Sequence, residues 1–477
     1  MRLLLILVAG SVLSWTSLAA AAAKPGPLKA GAATSNITPA LGGSIVGGFK
    51  PYPATHIHDE LHARCLVLDN GEKRLALVVC DLLGMHRSVS DEARRLIQAE
   101  TGIPKENVLI SATHTHSATT ALGESRYQNE QSLDEYQQFV ARRIADGVRR
   151  SVNLLRPAEI AFGTAEAPEH VFNRRWYMRP GTVPANPFGG TDLVKMNPPA
   201  GSPNLTEPAG PVDPIVSFLS VRELDGRPIA LYAAYSLHYV GGVGPGHVSA
   251  DYFALFCEEL TRLQNLDHQR PPYVALLANS TSGDINNINF KTPRPGKPHY
   301  EQMQVVAHDV AAKVQAALKD LKYNKDVVLD ARYREPQIAS RKPTEDQLAW
   351  AKKTLAAAPA DREKWDLSAI YADRTLHLSQ AQETVPTPLQ VLRIDSVAIG
   401  SMPAEVFVEI GLEFKDRSAL KPAFLVSIAH GYFGYLPTPR HHDLGGYETW
   451  LGTNRLEREA SVKMLNQLVE MTKELAE

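Results

Sequence analysis

The sequence predicts an α/β fold: a layered sheet with flanking helices and a site at its strand ends. Three observations predict it. Short apolar runs rich in Val, Ile and Leu recur along the chain. Helical patterns separate many of them. Polar, histidine- or glycine-bearing segments follow several of the runs directly. Apolar runs of four to eight residues read as strands buried on both faces, and their alternation with helices argues for a layered α/β arrangement.

The strand-like runs are 75–82, 107–114, 214–221, 228–236, 273–280 and 389–401. Helical spacing covers 88–101, 133–154, 251–265, 300–321, 344–357, 365–381, 405–418 and 455–475. Before them, residues 1–23 carry a basic residue, a leucine-rich run and a row of alanines, the order of a secretory signal. That run is short for a membrane span, which needs about 20 apolar residues. A secreted or periplasmic chain with no transmembrane segment in its mature form is therefore expected. Residues 24–477 form the folded part, with a possible helical insertion at 330–386. The stretch 177–213 is rich in Pro and Gly and lacks periodicity, as a pocket wall or a solvated loop does.

Lys+Arg total 50 against Asp+Glu 52, for a formal net charge of −2. With no basic stripe or acidic tail, nucleic acid is not an expected partner; a small-molecule or lipid-like substrate is. Cys65, Cys80 and Cys257 are too few for a disulfide framework and lack CxxC spacing, so they read as buried apolar residues.

Five strand-end segments carry the chemistry. "SATHTHSA" places His114 and His116 after an apolar run, where strand alternation would put both on one face. Spacing alone does not say which of them binds a cation. "SLHYVGG" ends the next run with His238, and "HVSAD" follows with Asp251, a residue equally suited to cap the helix after it. "SMPAEV" places Glu405 at a turn from strand to helix. "GYFGYLPTPRHHDLGGYETW" gathers Tyr432, Tyr435 and Tyr447 among glycines and prolines. "SGDINNI" is polar and holds Asp284 and Asn286. Open α/β sheets bind ligands beyond the carboxyl ends of their strands, so the five together describe a crevice.

In order along the chain, "HDELHARCLVLDNG", "VCDLLG", "NVLISATHTHSA", "FNRRW", the His238 segment with "HVSAD", "MPAEV" and "GYLPTPRHHDLGGYET" resemble the N-terminal catalytic domain of the neutral/alkaline (non-lysosomal) ceramidases. That resemblance implies one Zn²⁺ per chain, held by His114, His238, Glu405 and Tyr435. It places His116, Arg174 and Tyr447 beside the metal, where they are expected to be catalytic groups; Asp251 is expected to orient a zinc-bound histidine. Asn286, Asp284 and Tyr432 are expected to contact substrate. Asn286 stands where the family has a serine, and the family's C-terminal β-sandwich is expected to be absent. The function implied is a secreted zinc hydrolase of an amide or ester in an N-acyl, ceramide-like substrate. The alternatives are zinc-dependent hydrolysis or elimination on a carbohydrate-type substrate, and a non-catalytic binding protein.

Overall fold

The computed structural model describes residues 24–123 and 132–477; the signal-like segment at 1–23 lies outside them. Numbering only the elements used below, an eight-stranded sheet contains β1 (Lys29–Asn36), β2 (His62–Asp69), β3 (Arg74–Cys80), β4 (Val108–Ala112), β5 (Arg156–Glu166), β6 (Ile215–Glu223), β7 (Pro228–Tyr235) and β8 (Val274–Asn279). Their order is β8-β7-β6-β5-β1-β2-β3-β4. Only the outer pairs, β7 with β8 and β3 with β4, are parallel; the pairs between them are antiparallel. A four-stranded sheet follows from β9 (Leu329–Arg334), β10 (Leu389–Ile394), β11 (Val397–Ser401) and β12 (Ala423–Val426), in that order.

Four layers result, and alternation along the strands explains them. In β2, Ala63, Cys65 and Val67 face α1 (Arg87–Thr101) and α2 (Glu135–Asn153), while Leu66 and Leu68 face the smaller sheet. Beside α1 and α2, α3 (Asp251–Leu263) and α4 (Glu301–Ala317) cover the other half of that face, against Phe218, Leu231 and Leu277. The central layer joins Leu77, Val221 and Leu276 to Ile394, Ile399 and Phe424 of the smaller sheet. The outer face of the smaller sheet packs on α7 (Val408–Arg417) and α8 (Ala460–Ala476). Both faces of each sheet are therefore dry, which is why the strands read as unbroken apolar runs. The three cysteines are buried and unbridged, as the sequence suggests.

Several boundaries differ from the sequence reading. The run 389–401 is a hairpin, β10 and β11, turned at Asp395 with φ 56°. The helix expected from 405 starts at Val408, and Glu405–Val406 is instead a two-residue strand. Residues 177–213 are not a bare loop: Val194–Met196 and Leu205–Pro208 flank Arg175–Met178 in a three-stranded sheet. The helices within 330–386 cover less than that stretch. They form a pair, α5 (Glu345–Ala357) and α6 (Leu367–Ser379), closed at its base by pairing of Gln337–Ala339 with Thr384–Pro386. β1, with the sequence KAGAATSN, escaped the reading because small residues give little apolar signal.

One feature positions the site. β4 and β8 are opposite edges of the large sheet, yet they meet at their carboxyl ends. Asn279 Nδ2 donates to Thr113 O at 3.0 Å across the two edges. The segment after β12 wedges between them: Ser427 N donates to Asn279 O (3.0 Å) and Ala112 N to Ile428 O (3.1 Å). Strand ends remote in sheet order thus face one small volume.

Candidate metal centre

His114 follows β4 by two residues and has φ 71°. A non-glycine residue in the left-handed region is uncommon and marks a constrained turn. His114 N donates to Leu82 O at 2.9 Å, anchoring that turn. The strand has ended at Ala112, so His114 and His116 do not converge by strand alternation; the turn brings them together, with their Nε2 atoms 3.1 Å apart. His116 also stacks on Tyr239, ring centroids 3.7 Å apart, and hydrogen-bonds the backbone of Gly47. A Cβ on Gly47 would lie 2.4 Å from His116 O, so only glycine permits this approach.

His238 follows β7. Its Nδ1 lies 3.1 Å from Ser282 O, as His114 Nδ1 lies 2.7 Å from Leu83 O. A backbone carbonyl requires an N–H opposite it, so both rings carry a proton on Nδ1 and turn Nε2 inward. Glu405 Oε2 meets them, 3.2 Å from His114 Nε2 and 3.7 Å from His238 Nε2. His114, His238 and Glu405 are each almost wholly buried, and His238 Nε2 and Glu405 Oε2 have no hydrogen-bond partner within the protein. Burial, with Arg174 and the other histidines, holds His238 well below the usual imidazole range; burial and His114 do the same to His116. Burial pushes the Glu405 carboxyl up, but His114, Tyr432 and Tyr435 outweigh it and bring it down to about 2. The unpartnered Nε2 of His238 and Oε2 of Glu405, with His114 Nε2 beside them, form a buried donor set that fits a divalent cation. The ligand atoms of His114, His116 and His238 all lie within 4.8 Å of one another.

Tyrosines and arginines surround this centre. Glu405–Val406 pairs in parallel with Tyr435–Leu436, so Tyr435 is the register partner of Glu405. Tyr432 Oη donates to Glu405 Oε1 at 2.5 Å. Arg174 sits 5.3 Å from the centroid of the Tyr435 ring and its Nη2 is buried without a partner. Its Nε donates to Glu448 Oε1 (2.9 Å), and Arg175 Nη1 to Glu448 Oε2 (2.6 Å), so one buried carboxylate serves two guanidiniums. Glu448 was not singled out from sequence; its place one residue after Tyr447 was the available signal. Tyr447 lies against Tyr435, 5.7 Å between centroids, and burial pushes its hydroxyl up to about 12.

Two expected site residues brace the chain instead, and a third has a side-chain partner. Asp251 meets backbone, not a histidine: its carboxylate accepts from Val240 N, Gly241 N and Tyr252 N at 3.0, 2.8 and 2.7 Å. It pins the loop after His238. Asp284 is fully buried and braces the wall, accepting from Asn173 Nδ2 (2.8 Å) and Val408 N (2.9 Å), so its oxygens do not face a substrate. Asn286 is half-buried and donates to Asn197 Oδ1 at 3.1 Å. A second group, Glu169, His170 and Asp309, lies apart, and Lys313 already bridges both of its carboxylates.

The sequence model of the neutral/alkaline non-lysosomal ceramidases, N-terminal region, matches residues 29–302, more than half of the chain. The chain belongs to that family. A curated relative, neutral ceramidase A of Dictyostelium discoideum, is 24% identical to this ceramidase-family chain over 281 residues. That alignment covers 56% of this chain and 36% of the relative, so the chain matches about a third of the relative's length. Among solved structures, a ceramidase complexed with C2 superposes with a TM-score of 0.69 at 17% identity, covering 94% of this chain and 75% of the other. Neutral ceramidase from Pseudomonas aeruginosa gives 0.66, also at 17% identity, covering 94% and 74%. The mixed α/β fold, with its large sheet and flanking helices, is thus the fold of this ceramidase family. Among the described residues, no helix is long and apolar enough to cross a membrane.

Proposed function

We propose that this chain is a secreted, zinc-dependent hydrolase that cleaves the amide or ester bond of an N-acyl, ceramide-like substrate. The observation that carries the reading is the set of inward-facing atoms: His114 Nε2 beside the unpartnered His238 Nε2 and Glu405 Oε2. Family membership supports the reaction class and the amide-bearing lipid. The signal-like residues 1–23 support export.

His114, His238, Glu405 and the adjoining Tyr435 would hold one Zn²⁺, which would supply Lewis acidity and lower the pKa of a water to about 7. The Nδ1 contacts to Leu83 and Ser282 fix the two ligand rings in the tautomer that a metal needs. His116, tethered by Tyr239 and Gly47, takes the proton from the attacking water at Nε2 and returns it to the leaving nitrogen. Water oxygen joins the acyl carbon, the C–N bond breaks, and a fatty acid and an amine leave. Arg174 Nη2 and the Tyr447 hydroxyl donate to the carbonyl oxygen as negative charge builds on it. Asn286 has no nucleophilic or basic group, so the chemistry does not pass through it.

The deciding experiment is metal content by elemental analysis on the purified chain and its variants. One zinc per chain is expected in the wild type, lost in His238→Ala and Glu405→Ala. His116→Ala is expected to keep metal and lose turnover, whereas His114→Ala loses both. No metal in the wild type after reconstitution would overturn the reading. Asn286→Ser, which restores the family's hydroxyl, raises ceramide hydrolysis if that group limits it.

A carbohydrate-type substrate is favoured by one specific observation. The wall beside Glu405 is Tyr432, Tyr435, Tyr447, Arg374 and Arg455, polar and aromatic rather than aliphatic.

A further inference from the structure

We infer that Asn279 is a positioning residue for the metal centre: its buried amide ties the turn that carries His114 to the serine that orients His238, and so sets the spacing of the two rings. The inference rests on the reading of His114 and His238 as metal ligands and adds a residue that acts through both of them.

Asn279 is the last residue of β8, a strand that is apolar from Val274 to Ala278. Strand packing does not ask for an amide there. The side chain is wholly buried, where an amide without partners is costly. A side-chain amide offers one donor end and one acceptor end, and this one uses both. Nδ2 donates to Thr113 O at 3.0 Å, and Oδ1 accepts from Ser282 Oγ at 2.7 Å.

Each end leads to a histidine. Thr113 precedes His114, whose φ of 71° makes the direction of its ring depend on how that turn is held. Ser282 meets the other ring: His238 Nδ1 lies 3.1 Å from Ser282 O and 3.3 Å from Ser282 Oγ. Donors therefore run one way, from His238 Nδ1 to Ser282, from Ser282 Oγ to Asn279 Oδ1, and from Asn279 Nδ2 to Thr113 O. The two rings stand 4.7 Å apart between centroids. They follow β4 and β7, which are not neighbours in the sheet, so the strand ladder alone does not fix the gap between them. The amide of Asn279 spans it.

Adjacent contacts separate this role from bracing. The backbone of Asn279 is held independently of its side chain, by Ser427 N donating to Asn279 O at 3.0 Å. Ser280 Oγ donates to Leu425 O of β12 at 2.6 Å. These bonds fasten the segment to the chain of the smaller sheet and lead to no histidine. Groups behind a ligand histidine orient it, and losing one weakens metal binding about 10- to 100-fold.

The test uses the full chain, stripped of metal, then titrated with Zn²⁺ against a fluorescent chelator and with Co²⁺ by visible absorption. The d–d bands of bound Co²⁺ report the geometry of its ligands. Asn279→Leu keeps the volume and removes both side-chain bonds. It is expected to weaken Zn²⁺ binding about 10- to 100-fold and to shift the Co²⁺ bands. Ser282→Ala keeps the carbonyl behind His238 and loses only the hydroxyl. It is expected to shift the bands in the same direction with a smaller loss, and it carries the test alone if Asn279→Leu does not fold. The loss in the double variant is expected to be less than the product of the two single losses, because both residues act through one hydrogen bond. Ser280→Ala loses a bond from the same buried segment and is expected to keep the wild-type affinity and spectrum. Wild-type affinity and bands in Asn279→Leu, or in Ser282→Ala where it stands alone, would overturn the inference and leave the hydrolase reading standing. An equal change in Ser280→Ala would do the same. No Zn²⁺ or Co²⁺ bound by the wild type would overturn both.

Discussion

Glu405 and Tyr435 are register partners in a parallel pairing only two residues long. The pairing carries a carboxylate and a phenol into the site from two loops separated by thirty positions in sequence, and Glu405 N donates to Gly434 O at 2.9 Å to hold it. Burial raises the Tyr435 hydroxyl well above the usual phenol range, so it reaches Glu405 as a neutral donor. Tyr435→Phe is expected to weaken zinc affinity about 10- to 100-fold while costing about 1 kcal/mol in stability or less. Competition with a fluorescent chelator measures the first, and urea unfolding of the metal-free protein the second. An unchanged affinity would remove Tyr435 from the metal's surroundings.

Glu448 is the one carboxylate between Arg174 and Arg175, and all three are buried. Burial pushes the Glu448 carboxyl up, but Arg175 and Arg174 more than reverse it, so it is held ionised. Removing one member of a buried pair leaves charge without a partner, at a cost of about 3–5 kcal/mol. Glu448→Ala is expected to lose that much in urea unfolding and to loosen Arg174 from its place over Tyr435. A loss below about 1 kcal/mol would mean that water reaches the two guanidiniums.

Gly283 explains part of the "GD" in the segment 283–288. A Cβ there would lie 2.6 Å from Glu405 O and 3.0 Å from Val406 O, both backbone atoms. Gly283 N also donates to Val406 O at 2.8 Å, so neither chain has room to slide. Gly283→Ala is expected to cost about 1–3 kcal/mol by overpacking and to lower zinc content by shifting Glu405. Normal zinc content and stability in this variant would show that the Glu405 strand gives way without harm.

The parts of this site that were legible in the sequence are those written in local chemistry. Two histidines after an apolar run, a third ending another run, and tyrosines among glycines announce polar groups at strand ends. The illegible parts depend on tertiary structure. Nothing local says that β4 and β8, at opposite ends of the sheet order, close on each other through Asn279 and Thr113. The turn at His114 defeated an alternation argument because its φ is set by the hydrogen bond to Leu82, thirty-two positions away in sequence. Asp251 and Asp284 have the right residue type in the right segments, and only their backbone partners reveal them as braces. The antiparallel middle of the large sheet was hidden for a related reason. Strands dry on both faces look alike in sequence whichever way they run.

Asp251 gives a pH dependence that is independent of the metal. Burial pushes its carboxyl up to about 6 from an ordinary value near 3.8, although the amides of Tyr252, Gly241 and Val240 pull it the other way. The folded chain therefore holds this proton more tightly than the unfolded chain does. Its contribution to stability is fully present below about pH 4 and is lost as pH rises through about 6. The span amounts to about 3 kcal/mol at most. Asp251→Asn removes the titration while keeping one oxygen for the same amides. The stability of the wild type minus that of Asp251→Asn is expected to fall between pH 4 and pH 7. Urea unfolding at a series of pH values checks this, with chelator present so that zinc loading does not enter. A flat difference would mean that the carboxyl titrates alike in both states. A rising difference would mean that the three amide donors outweigh burial and hold Asp251 as a stabilising anion.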